Sequence, residues 1–183
     1  MRRVLGPVSA AVVLVVVQGC LVACTSQIGG TAIPAAGAPT SSRAPNTRPS
    51  AAPGALTALS PCDMLTGSEQ KSLGITGPGE PRKVSQVRLC AWAVDGGTDP
   101  LTVTVEFWPD RGIDRITTEQ PTEYLDVGKH AAVRYIATGG TACKYALEVD
   151  ADSRVDVAVV GPDPQQLCEQ ALGAAKLVAP KVP

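Results

Sequence analysis

Four cysteines, Cys62, Cys90, Cys143 and Cys168, spread through the last two-thirds of this chain, constrain its fold more than any other feature. Their meaning depends on where the chain is sent. Arg2 and Arg3 place positive charge ahead of an uncharged run, Val4 to Ala23, dominated by Val, Ala and Leu. A basic start, an apolar core and small residues at its end make a secretory signal. Gly6, Pro7, Gln18 and Gly19 weaken the run at both ends and argue against a permanent membrane span. An exported chain meets an oxidising compartment, where an even number of well-spaced cysteines forms disulfides. Four cysteines allow three pairings. Cys62–Cys90 with Cys143–Cys168 is the expected one, because each bridge then joins elements near in sequence; the other two stay open. Such a bridge, closing a loop of under 30 residues, is worth roughly 3–4 kcal/mol. No metal centre and no cofactor is expected, since no C-x-x-C occurs and His130 is the single His.

The apolar run ends in Leu21-Val22-Ala23-Cys24, the pattern of a bacterial lipoprotein signal. The Cys24 thiol would accept a diacylglyceryl group. Cleavage before Cys24 would free its amine for a further acyl group such as palmitate. One acyl chain holds a protein marginally at a membrane, and two or more hold it stably. Val17-Gln18-Gly19-Cys20 also ends in Cys, but Gln at the second position before it fits the pattern less well. Residues 1–23 are therefore read as a signal peptide and Cys24 as the lipid acceptor. The expected location is the outer face of the cytoplasmic membrane.

Composition shifts sharply after Cys24. Residues 24–55 are rich in Ala, Pro, Ser, Thr and Gly, with Arg43 and Arg48 as their only charges and no aromatic residue. Such a segment buries too little apolar surface to offset its ordering entropy. It reads as a tether whose coil spans roughly 30–35 Å. The folded domain is then 56–183. Of 16 basic residues the signal removes Arg2 and Arg3, and of 17 acidic residues it removes none, so the exported chain is mildly acidic. No basic patch points to nucleic acid.

Within the domain, Thr66-Gly67-Ser68-Glu69 is a capping box that predicts a short helix ending at Gly74. Pro78-Gly79-Glu80-Pro81 reads as a loop, and Lys83 to Val94 as one extended run ending in a Gly96-Gly97 turn. Leu101 to Phe107 alternates cleanly as a strand that Pro109 stops. Residues 110–128 read as irregular, with a helical turn near Ile113. Three further strands are expected at Ala131 to Ile136, Ala142 to Val149 and Arg154 to Val160. Asp163 as cap and Pro164 in the first turn predict a last helix through Leu177, with Cys168, Ala171, Leu172, Ala175 and Val178 buried. The expected class is α+β: an antiparallel sheet with helices packed on one face, stabilised by two disulfides.

Pro61-Cys62-Asp63-Met64-Leu65-Thr66 opens this domain, and Cys90-Ala91-Trp92 lies on the next strand. Gly139-Gly140 precedes the strand that begins near Cys143, and Cys168-Glu169-Gln170-Ala171-Leu172 starts the last helix. Together with Cys24-Thr25-Ser26-Gln27-Ile28-Gly29-Gly30-Thr31-Ala32, these segments resemble the small secreted lipoproteins of mycobacteria and related actinobacteria. In particular they resemble an actinobacterial lipoprotein domain family of unassigned function. The resemblance implies the envelope location and the four-cysteine framework. It brings no catalytic residue with it.

The candidate sites are few. His130 lacks a G-x-S-x-G serine partner and reads as an ordinary surface residue rather than a catalytic base. Asp110, Asp114, Glu119, Glu123 and Asp126 are interleaved by Arg111 and Arg115, which reads as a solvated loop rather than a carboxylate pair. Trp92 shares a strand face with Cys90 and is expected to pack on a disulfide. Trp108 falls on the face opposite Val105 and is the candidate for stacking a ligand or partner. A non-enzymatic module that binds a partner protein, a lipid or a small ligand is the expected function. The alternatives are an accessory subunit of an envelope transport machine and a hydrolase of envelope components. Cys24→Ala is expected to release the protein from membranes and abolish its acylation by mass spectrometry. Acylation that survives Cys24→Ala but not Cys20→Ala would move the acceptor to Cys20.

Overall fold

Alternation along Leu101–Trp108 sends Val103, Val105 and Phe107 to one side of a strand and Thr104, Glu106 and Trp108 to the other. Both sides of that strand are largely buried, which places it inside a sheet. In the computed structural model, which describes residues 54–95 and 99–183, it is the third of seven strands. They are β1 (Glu80–Val84), β2 (Val87–Val94), β3 (Leu101–Trp108), β4 (Glu123–Val127), β5 (His130–Ile136), β6 (Ala142–Glu148) and β7 (Arg154–Val160). The spatial order is β1-β2-β3-β7-β6-β5-β4, and every neighbouring pair is antiparallel. Two meanders thus meet at β3 and β7. Residues 109–122 link them by crossing from β3 to the far edge at β4. The expected signal peptide, Cys20, Cys24, the expected tether as far as residue 53 and the expected turn at Gly96-Gly97 lie outside the described residues.

Register divides the sheet into two unlike faces. Cys90 pairs with Val105, Val105 with Val157, and Val157 with Tyr145, so these side chains line one apolar face. Trp92, Val103, Val159 and Cys143 continue it one pair along. Both disulfides spring from this face. Cys62–Cys90 ties down the 3-10 turn Pro61–Met64, and Cys143–Cys168 ties down α2 (Cys168–Val178), which packs on β7 and β6. Gly79 runs so close to this layer that a Cβ there would stand 2.5 Å from Cys90 Sγ and 2.6 Å from Trp92 Nε1. Only glycine permits that approach, and it seals a tryptophan left 1% exposed.

The fold is mostly β, which corrects the expected balance of helices and strands. The capping box forms as read, with Thr66 Oγ1 accepting from Glu69 N and Glu69 Oε2 accepting from Thr66 N at 2.7 Å. The helix it starts, α1 (Gly67–Ser72), buries none of its residues, so it is no second covering helix. Lys83 to Val94 is not one run. It breaks into a hairpin at Ser85-Gln86, where Ser85 takes a left-handed φ of 54° without the Gly or Asn that signals such turns. Glu80 and Pro81 belong to β1, an exposed edge strand where a proline is tolerated. In residues 110–128 the edge strand β4 emerges, held by Leu125 and Val127 pairing with Ala132 and His130. The last helix begins at Cys168 and not at Asp163, because Asp163 Oδ2 accepts from the Gln166 side chain at 2.6 Å instead of capping a helix. Ala174 is buried in α2, while Leu172 is only partly buried. Among the described residues no helix is long and apolar enough to cross a membrane.

The capping box also anchors the end of the chain. Lys181 Nζ donates to Glu69 Oε2 and, at 2.8 Å, to Met64 O. Burial acts to raise the Glu69 pKa, but hydrogen bonds from Lys181 and Thr66 outweigh it and hold the group below its ordinary 4.5. A carboxylate with a depressed folded pKa contributes stability that is present above the ordinary value and lost as pH falls through the lowered one. Glu69→Gln is therefore expected to cost about 1 kcal/mol near neutral pH. Urea unfolding should show that difference shrinking below pH 4.5.

Candidate functional site

The second face of the sheet is polar where the first is apolar, and its charges are buried. Glu106 on β3 faces Asp156 on β7 across the ladder, with Lys144 nearby on β6. Lys144 Nζ donates to both Glu106 carboxylate oxygens at 2.7 Å. Thr104 Oγ1 donates to Glu106 Oε1 at 3.1 Å, and Trp108 Nε1 to Oε2 at 3.3 Å. Asp156 is fully buried, yet both its oxygens are matched: Arg154 Nε donates at 2.8 Å and the Tyr135 hydroxyl at 2.7 Å. Burial pushes the Asp156 carboxyl up from its ordinary pKa, and Arg154 and Lys144 oppose that push. Burial, then the Asp156 charge, drives the Tyr135 phenol far above its ordinary range, so it stays a donor.

This layer holds down the crossover. Arg154 Nη1 donates to the carbonyl oxygens of Arg111 and Gly112, each at 3.0 Å. Gly112 runs against the β6–β7 hairpin so closely that a Cβ would lie 2.0 Å from Ala151 O. Ile113 then enters a small apolar cluster with Val133, Tyr135 and Ala146, covering β5 and β6. Toward β1, Leu89 and Trp108 on this face are only partly buried. Arg154 Cζ lies 4.4 Å from the Trp108 ring centroid and Arg111 Cζ 5.8 Å, both within cation–π range.

Trp108 lines two cavities. The larger, about 380 Å3, is walled by Val84, Val87, Leu89 and Trp108, with Glu106, Asp110 and Arg111 at its polar end. Val84 is 64% exposed at the tip of the β1–β2 hairpin. The smaller, about 240 Å3, is walled by Arg115, Tyr135, Lys144 and Arg154, again with Trp108 and Arg111. The arrangement offers an aromatic plane, an apolar trough and fixed hydrogen-bond donors. Its buried ionic groups hold one another.

Of the residues singled out in the sequence, Trp108 and Asp110 line this site, with Arg111 and Arg115 beside them. Cys62, Cys90, Cys143 and Cys168 are bridged on the opposite face. His130 is not a surface residue: it is 3% exposed, with Nδ1 2.9 Å from Glu148 O and Nε2 3.1 Å from Ala179 O. It bridges β6 to the C-terminal turn, and both ring nitrogens are occupied there. The acidic series is split by the crossover, with Asp110 beside the cavity and Glu123 on β4 paired to Arg134 at 2.9 Å. Among the described residues no three His, Cys, Asp or Glu side chains group as metal ligands. Glu106, Lys144, Arg154 and Asp156 were missed because polar residues alternating with valines read as a solvent face. The available signal was their density: charged residues recur on three strands, and Arg154 and Asp156 lie two residues apart, hence on one face of one strand.

Residues 19–181 match a family model described as "Protein of unknown function (DUF3558)". No curated protein and no solved structure matches the chain.

Removing one partner of a buried pair strands the other's charge. Arg154→Met is expected to destabilise the fold by about 3 kcal/mol. Adding Asp156→Asn should recover part of that loss, with a coupling of about 1 kcal/mol or more in a double-mutant cycle followed by urea unfolding.

Proposed function

We propose, for a chain that belongs to the DUF3558 family of proteins of unknown function, that the folded domain is a non-enzymatic binding module. In this reading it is an envelope lipoprotein of the actinobacterial type, held at the outer face of the cytoplasmic membrane by lipid on Cys24. Leu21-Val22-Ala23-Cys24 and the tether composition support the anchoring. The ligand is taken on the polar sheet face at Trp108, while α2 and the Pro61–Met64 turn act as the cover of the other face.

One observation carries the reading: a partly exposed tryptophan lines two cavities, on a sheet face whose ionic groups are already paired. A floor of fixed, satisfied charges presents donors and an aromatic plane without offering a nucleophile beside a base. Sites of this kind bind small molecules, and the larger cavity falls in the roughly 300–1,000 Å3 range such sites occupy. Full-length protein purified from the producing cell and extracted with organic solvent is expected to release a small molecule seen by mass spectrometry. The same extraction from Trp108→Ala should lose it. Identical extracts from both proteins would sink the reading.

A further inference from the structure

We infer that the ligand of this face is an amphiphile in which an anionic group is joined to an apolar chain. The inference rests on the binding reading above and names the ligand class of that same site. The smaller cavity is lined by Arg111, Arg115, Lys144 and Arg154, and no carboxylate lines it. Lys144 is matched by Glu106 and Arg154 by Asp156, so their charges are spent within the sheet. Arg111 and Arg115 add two guanidinium groups on the exposed rim of that cavity. Thr117 and Thr138 supply hydroxyls beside them. Guanidinium forks with adjacent hydroxyls are suited to the oxygens of a phosphate or a carboxylate.

The larger cavity has the opposite chemistry. Val84, Val87 and Leu89 share one face of the β1–β2 hairpin, since Val84 pairs with Val87 and Leu89 lies two residues on. They make an apolar trough that ends on Trp108. Glu106 at its polar end has both oxygens on Lys144, so it is neutralised toward an entering chain. Trp108 and Arg111 line both cavities, which makes them one two-part site rather than two sites. A molecule spanning them rests its anionic end among the guanidinium groups and its apolar end along the hairpin.

The test uses full-length protein and three probes below any micelle concentration: decyl phosphate, decanol and inorganic phosphate. Tryptophan fluorescence reports binding, with Trp108→Phe as the blank and the sealed Trp92 as constant background. Decyl phosphate is expected to bind about tenfold tighter than either other probe. Arg115→Ala, at an exposed position, should weaken decyl phosphate about tenfold and leave decanol unchanged. Val84→Ser should weaken decyl phosphate and decanol alike, by about threefold. Equal binding of decanol and decyl phosphate, or no effect of Arg115→Ala, would overturn the anionic half. Inorganic phosphate binding as tightly as decyl phosphate would overturn the apolar half. If solvent extraction yields a Trp108-dependent molecule and decyl phosphate does not bind, the ligand class is wrong and the binding reading stands. If both experiments are blank, both fail.

Discussion

The Arg154 guanidinium is the group on which the rest of the structure turns. Its Nε fixes the buried Asp156, its Nη1 holds two carbonyls of the crossover, and its Cζ lies 4.4 Å from the Trp108 ring centroid. One side chain therefore joins the sheet, the segment that links its two halves, and the residue at the mouth of both cavities. An ion pair this deep is no large source of net stability, because desolvation offsets most of the attraction. What it supplies is geometry. Arginine's planar fork reaches several acceptors at fixed angles, where a lysine would bring a single ammonium on a flexible stem.

The two faces of the sheet divide the work of folding and function. On one face, valines, Trp92 and both disulfides build the core and pin its cover. With stability supplied there, the other face can afford a polar layer that contributes specificity of shape. A single face could not do both, since a buried unmatched charge in the valine layer would cost several kcal/mol. The crossover packs Ile113 over β5 and β6 and is held to β7 by Arg154, and the trough lies beside it along β1 to β3.

Much of this was legible in residues. Clean alternation revealed β3 and β7, the Thr66–Glu69 spacing revealed the α1 cap, and sequence proximity revealed the disulfide pairing. The hairpin at Ser85-Gln86 was not legible, because a serine adopts a left-handed conformation there with no composition signal. β4 was hidden because an edge strand needs partners more than it needs apolar residues. The site was half legible. Trp108 stood out by type, but its setting depends on β3, β6 and β7 meeting, which no local pattern encodes. His130 failed as a surface residue for the same reason, since Glu148 and Ala179 approach it from distant parts of the chain.

The strand order has a consequence for how the chain is assembled. β3 and β7 are neighbours in space, yet β4, β5 and β6 separate them in sequence. Each half of the molecule holds its own disulfide: Cys62–Cys90 lies within the β1–β3 half, and Cys143–Cys168 within the half that ends in α2. Each bridge joins cysteines of its own half, at sequence separations of 28 and 25 residues, so neither needs the other half to close. The β3–β7 seam, which carries the buried charges, thus joins two halves that are each covalently closed on themselves.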